Sequence, residues 1–302
     1  MRHFGVLWLL LAGSVGCQPA FQRTPSLIDA PRILAVRATP AEARPGAGVV
    51  VEALLVDPSG PVTATAPGWA FCVKPRPAAD YNTISAKCLE EVAPHLRPFS
   101  SGADPLRAMA TLPLEGCALF GSEPLPPAQD EPPVRPADPD PTGGYYQPVR
   151  VSWAGGGPVA FGQVRLQCAL PQASANVAQA FRDRYVANHN PILLALELAD
   201  GATTVAPRAA VRLVGRWDAA EAEAYVAYDL RTSALQDRVE GLRISWFATG
   251  GQLDADTGLS ADGVSAEVGW IAPAEPGLHH LWAVLRDDRG GMSWRHLALE
   301  VR

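Results

Sequence analysis

The chain has 302 residues, with 25 Lys+Arg against 31 Asp+Glu and a net charge of −6, a balance that leaves no basic surface for nucleic acid. Lys74 and Lys87 are its only lysines, whereas arginine, alanine, 29 prolines and 27 glycines abound, a bias that points to a high-GC genome and not to a function. No stretch after residue 17 approaches the ~20 apolar residues of a membrane helix. Met1 to Cys17 (MRHFGVLWLLLAGSVGC) begins with a basic Arg2-His3, continues through the short apolar run Gly5–Ala12, and ends in small residues before a cysteine. That is the layout of an export signal.

A cysteine directly after Ser14-Val15-Gly16 resembles the lipobox of bacterial lipoproteins. The resemblance implies cleavage before Cys17 and lipidation of that residue, with the membrane met through the lipid anchor. Ser14 stands where the lipobox usually has Leu, and the same three residues would suit an ordinary signal peptidase that leaves Cys17 a free thiol. Cysteine arithmetic favours lipidation: Cys72, Cys88, Cys117 and Cys168 can pair among themselves, so Cys17 is the odd one. Gln18 follows Cys17, which by resemblance to the enteric sorting rule implies the outer membrane, on its periplasmic or surface side.

Residues 18–30 lack apolar period and are expected as a tether. A first immunoglobulin-like β-sandwich is expected over 31–171. It opens with Pro31–Val36, continues with the β-branched run Val49–Val56 and the strand Trp69–Val73, and resumes at Tyr145–Trp153 and Val159–Leu170. Asp80–Thr142 is expected as an insertion: its first part is weakly periodic, and Ser122–Thr142 is Pro-rich and acidic. A connecting helix follows within 172–190, capped by Ser174 or Asn176, with Val177, Phe181 and Tyr185 on one stripe and Arg182 and Arg184 turned to solvent. Pro191–Leu196 echoes Pro31–Val36, which marks a second copy of the fold over 191–302. There Val211, Leu213 and Trp217 alternate with Arg212 and Arg216. Leu242, Ile244 and Trp246 alternate with Arg243 and Ser245, and Val264 to Trp270 alternates likewise. Asp287–Gly291 reads as a hairpin turn between two further strands. The fold class expected is all-β: two immunoglobulin-like sandwiches, the first with a disulfide-bonded insertion, joined by a short helix.

Trp246–Gly251, Trp270-Ile271-Ala272-Pro273, Pro276-Gly277 and Val284–Gly291 resemble bacterial immunoglobulin-like modules of the PKD type over roughly the last 110 residues. The aspartate of the PKD Trp-x-Phe-Gly-Asp-Gly signature is absent, and this part holds no cysteine pair. The whole chain is also similar to lipoproteins of high-GC Gram-negative bacteria. Neither resemblance implies a catalytic residue; such modules serve as spacers or binding surfaces.

Candidate chemistry is sparse. The four later cysteines show no C-x-x-C spacing, so disulfides are expected over zinc. Of the three connectivities, Cys72–Cys88 and Cys117–Cys168 are expected, the first closing a short loop and the second pinning the insertion to a strand. His279 and His280 are adjacent on a strand and point to opposite faces, which argues against a shared metal. Asp254, Asp256 and Asp262, with Gly258 and Gly263, resemble a calcium loop without its closing glutamate; a turn rich in Asp and Gly is the competing reading, and no cofactor is expected. There is no G-x-S-x-G, H-E-x-x-H, P-loop or G-x-G-x-x-G. The expected function is therefore a non-catalytic envelope or surface module that binds or spaces a protein or glycan partner, with Tyr145 and Tyr146 as candidate binding residues. The alternative is an envelope enzyme or accessory subunit with a site in the 80–142 insertion.

Overall fold

The computed structural model describes residues 24–77, 84–90, 94–121, 129, 140–170, 172–260 and 263–302. The signal segment with Cys17, most of the Pro-rich stretch and Asp262 lie outside these residues.

Within the first sandwich the chain forms β1 (Arg32–Thr39), β2 (Glu42–Ala43), β3 (Gly48–Asp57), β4 (Gly60–Pro61), β5 (Gly68–Cys72), β6 (Leu96–Phe99) and β7 (Arg107–Thr111). The one-turn helix α1 (Gly116–Phe120) precedes β8 (Tyr145–Ser152) and β9 (Val159–Leu166). One sheet is built on β3, which pairs with β1, β4 and β7; the other runs β2-β9-β8-β5-β6. The opening segment serves both sheets, because β1 lies antiparallel on β3 while β2 lies parallel on β9. This is an immunoglobulin-like sandwich.

Helix α2 (Ala175–Arg184) leads into β10 (Ala195–Leu198), β11 (Thr204–Val205), β12 (Ala210–Arg216), the hairpin β13 (Ala224–Asp229) and β14 (Ala234–Val239), and β15 (Arg243–Ala248). The last strands are β16 (Gln252–Leu253), β17 (Thr257–Leu259), β18 (Ser265–Ile271), β19 (Gly277–Arg286) and β20 (Met292–Val301). They form sheets β10-β12-β18-β16 and β11-β20-β19-β15-β17. Again the opening strand β10 is antiparallel to β12 and the short β11 is parallel to the last strand. The two sandwiches thus share one topology, and both members of the Pro31/Pro191 echo stand at its start.

Alternation explains each core. Val49, Val51, Ala53 and Leu55 of β3 face Trp69, Phe71, Val149 and Val151 in the first, and Leu213, Trp246, Val268 and Trp270 fill the second. The outward residues of β12 and β18 pair across the sheet, as in Arg212–Glu267 at 2.9 Å. Two strands are apolar on both faces, however. Leu54 and Val56 of β3, and Trp282 and Val284 of β19, point away from their own cores and pack together with Ile28 and Ala35 in a third cluster. A continuous apolar run is what a strand covered on both sides requires. The sandwiches therefore meet face to face, sheet on sheet. Arg37 lies over the Trp294 ring at 4.3 Å, Arg286 donates to the Leu34 carbonyl at 3.0 Å, and Asn190 donates to the Ala38 carbonyl at 2.7 Å while accepting from Met292 N at 3.0 Å.

Three expectations change. Residues 24–28, expected in a tether, join the second sandwich: Ile28 N donates to the Ala248 carbonyl at 2.8 Å, Ala248 N donates to that of Ser26 at 2.9 Å, and the Ile28 side chain is fully buried. Leu27-Ile28 is apolar enough to cover the edge of the interface, which outweighs its Pro-flanked context. The Asp80–Thr142 insertion is also narrower than expected, since β6 and β7 belong to the sheets themselves. Their Ala and Arg content hides the period of two, although β7 buries Ala108 and Ala110 and exposes the residues between. The β13–β14 hairpin, finally, is an element the sequence did not announce. The disulfides are Cys72–Cys88 and Cys117–Cys168, tying β5 to the turn at Ala86–Cys88 and α1 to the segment after β9.

Candidate functional site

Where the sandwiches, α2 and the β13–β14 hairpin converge, the interior is polar. Glu42 on β2 and Arg165 on β9 are both almost fully buried, with Arg165 Nε 3.4 Å from Glu42 Oε2. The Tyr185 hydroxyl donates to the Glu42 carboxylate at 2.6 Å, and Asn188 N donates to the same group at 2.9 Å. Arg165 also donates to Thr142 Oγ1 at 2.7 Å, the Tyr146 hydroxyl at 2.9 Å, the Thr142 carbonyl at 3.2 Å and the Tyr185 hydroxyl at 3.3 Å. The seam continues through Asn188, whose Nδ2 reaches Asp287 Oδ2 at 3.4 Å.

On the far side Arg289 is fully buried, with each of its three nitrogens donating once. It donates to Glu240 at 2.5 Å, Glu223 at 2.8 Å and the Val186 carbonyl at 2.8 Å, and its guanidinium lies 4.5 Å from the Tyr225 ring centre. Asp287 shapes the turn beneath it, accepting from the backbone N–H of Arg289 and Gly291. Burial pushes the Glu240 carboxyl up to about 7, helped by Asp287 and opposed by Arg289. Burial also raises Asp287. Burial works against the charge on Arg289, but the hydrogen bond and charge of Glu240 hold the guanidinium above its usual value. Tyr185 is pushed up to about 12, by burial and then by Glu42 against the pull of Arg165. Groups so placed keep buried charges paired, which a buried ion network needs to be tolerated.

Beside the seam opens a cleft of about 580 Å³, walled by Leu166, Leu170, Phe181 and Val226 and bordered by Arg44 and Arg182. Helix α2 forms one wall. Ser174 caps it, its side chain accepting from Val177 N, and Phe181 stacks on Tyr185 at 4.6 Å. Phe181 and Tyr185 of the expected stripe face this junction, and Arg182, expected to turn away from that stripe, borders the same cleft. A second cleft of about 380 Å³ lies at the edge of the insertion, where Ser85, Phe120, Asp140 and Tyr146 meet. The Asp140 carboxylate there already accepts from Thr142 N, Gly144 N and the Tyr146 hydroxyl.

The candidate binding tyrosines are not an exposed surface. Tyr145 is buried in the first core, and Tyr146 is held between Asp140 and Arg165, with burial raising its hydroxyl well above the ordinary range. The preceding Gly144 has a structural reason, since a Cβ there would fall on the Arg165 guanidinium. Asp254 and Asp256 are exposed, and Asp262 lies outside the described residues; no group of three or more His, Cys, Asp or Glu among the described residues is placed to hold a metal. Sequence reading missed Glu42, Arg165 and Arg289. Each sits where a solvent-facing charge is ordinary; the one signal was Gly144, whose missing side chain leaves room for the Arg165 guanidinium.

No family model and no curated protein matches the chain. Among solved structures it is similar to the D0-D1 domain of intimin at 10% identity, with 88% of this chain and 98% of that chain covered and a TM-score of 0.23. The D00-D0 domain of intimin gives 7% identity, coverage of 90% and 98%, and a TM-score of 0.25. The Yersinia pseudotuberculosis adhesin InvE gives 13% identity and a TM-score of 0.23, with 88% of this chain and 58% of that one covered. Likeness at these scores carries no role across, and the fold rests on the sheets described above.

Proposed function

We propose that the chain is a non-catalytic, exported surface module, anchored in the outer membrane through a lipidated Cys17, that holds a binding surface for a protein or glycan partner away from the bilayer. The observation that supports this reading is the face-to-face union of the two sandwiches. Their sheets, the strap at Ser26–Ile28 and the ion seam make one packed unit whose first described residues run along the interface. Such a unit transmits position without an articulated link, as a spacer must. Partner contacts then fall on loops and exposed faces, and the first sandwich carries the larger elaboration.

Fractionation tests the anchor. Three acyl chains, each contributing ~0.8 kcal/mol per buried CH₂, hold far more firmly than one. The wild type is expected in the membrane fraction and Cys17→Ser in the soluble one; a Cys17→Ser protein that still pellets with membranes rules the anchor out. Capture of envelope partners by a variant lacking 122–138 tests the binding side. Asp140 and Thr142 stay in that variant because they hold Tyr146 and Arg165. Loss of the partners places recognition on the first sandwich. Full retention, with loss when 191–302 is removed, reverses the assignment.

A further inference from the structure

The cleft enclosed by the first sandwich, α2 and the β13–β14 hairpin has a charge pattern that the seam does not explain. Four charged side chains line it: Glu42, Arg44, Arg165 and Arg182. Glu42 and Arg165 neutralise each other at 3.4 Å. Arg44 and Arg182 remain, each exposed, and each spends a donor on a side-chain amide: Gln167 Oε1 at 3.3 Å and Gln179 Oε1 at 2.6 Å. A guanidinium has five N–H donors, so most of their capacity has no acidic partner among the described residues. In a chain of net charge −6, this cleft carries a local excess of two positive charges over an apolar wall.

That combination has a specific complement. The volume of about 580 Å³ is in the range of small-molecule sites, and such sites are mostly apolar with a few polar groups that fix orientation. The wall of Leu166, Leu170, Phe181 and Val226 offers no charge for a polar body to meet. Two arginines at the border offer planar forks suited to a carboxylate. We infer that the cleft binds an amphipathic acyl carboxylate, its apolar chain against the α2 wall and its head on Arg44 and Arg182. The site is formed jointly by both sandwiches and the helix between them, so it exists only while they are packed together. This goes beyond the proposed spacer role and does not depend on the anchor.

The test titrates the full chain carrying Cys17→Ser, which removes lipid of its own, with sodium decanoate, decyl phosphate and neutral decanol by calorimetry. Saturable 1:1 binding of decanoate, at least tenfold tighter than decanol, is expected. Arg44→Gln and Arg182→Gln each weaken decanoate about tenfold, and the double variant binds decanoate and decanol alike. Both arginines are exposed, so these variants keep the fold. Ala178→Trp, which fills the cleft from α2, abolishes binding of all three ligands with an unchanged melting temperature; should it unfold, the arginine pair alone decides. Equal affinity for decanol and decanoate, or decanoate binding that ignores the arginine substitutions, overturns the proposal. Decyl phosphate binding more tightly than decanoate overturns the carboxylate assignment, and absence of saturable binding overturns the site.

Discussion

The two sandwiches run the same strand order, yet they spend their connections differently. In the first, the link from β7 to β8 covers residues 112–144 and carries α1 and one end of a disulfide; the corresponding link from β18 to β19 is only 272–276. In the second, the elaboration lies between β12 and β15, where the hairpin stands. The two elaborations touch: the Arg238 guanidinium donates to the Pro141 carbonyl, and a Cβ on Gly143 would lie 3.6 Å from Ala227. The copies thus differ at one of the places where they meet, and the seam and the cleft join those elaborations to residues of the shared strands β2 and β9. The shared strands supply the cores and one side of the seam, and the unshared connections close over it.

The most severe way to break this arrangement is at its buried charge. Arg289→Met leaves the buried Glu240 without its cation, and removing one partner of a buried pair costs about 3–5 kcal/mol. A fall of that size in unfolding free energy by denaturant titration is expected. A change below about 1 kcal/mol would mean that the seam is wet and contributes little.

A smaller but more diagnostic loss comes from the packed faces. Trp282→Ala removes the largest side chain of the shared cluster without touching either sandwich core, and a loss near 3 kcal/mol is expected from large-to-small substitutions. Trp246→Ala provides the contrast, because Trp246 belongs to the second core alone. The interface variant should split one unfolding transition into two, while the core variant should destabilise the second sandwich and keep the first. If Trp282→Ala leaves a single, merely shifted transition, the sandwiches are coupled by the seam and not by the packed sheets.

Much of the strand architecture was legible because alternation is a local signal. Leu213 and Trp217 against Arg212 and Arg216 can be read without knowing any neighbour, and the disulfide pairs followed from loop closure. The union of the sandwiches was legible only in part. Leu54-Leu55-Val56 and Leu281–Leu285 break the period of two, which is the mark of cover on both faces, but a run says nothing of what covers it. The charged seam was not legible at all. Arg165 occupies the outer face of its strand, where charge is ordinary, and it is buried because Tyr185 and the segment Thr142–Tyr146 close over it. Arg289 was hidden in the same way: Asp287–Gly291 reads correctly as a turn, and nothing local says that the turn points inward.

The smallest expected effect is a pH dependence that belongs to the union itself. His280 on β19 and His296 on β20 approach to 2.9 Å, Nδ1 to Nε2, with ring centres 5.1 Å apart. The His280 ring packs against Gly60 in the β3–β4 turn of the first sandwich, with Ser59 and Asp57 close by and His279 adjacent. Burial, then the charge of His279, lowers the pKa of His280; the Ser59 contact and Asp57 only partly offset this. Burial, then His280, lowers that of His296. A base whose folded pKa lies below its unfolded value of ~6.5 binds fewer protons when folded, so its contribution to stability grows as pH rises through that window and is lost as pH falls. Glu240 acts in the opposite sense. With its folded value near 7, the folded chain binds more protons between ~4.3 and 7, and stability from this group falls as pH rises. The raised Asp287 adds to that opposing trend at lower pH. Total stability therefore mixes two signs, and the histidine contribution is isolated by difference. Wild type minus His280→Gln/His296→Gln, measured by denaturant titration from pH 5 to 7.5, should rise with pH, because the subtraction cancels Glu240 and Asp287. A flat or falling difference would show that the two rings titrate as freely in the folded protein as in the unfolded chain, and that the contact with the first sandwich's turn does not shield them.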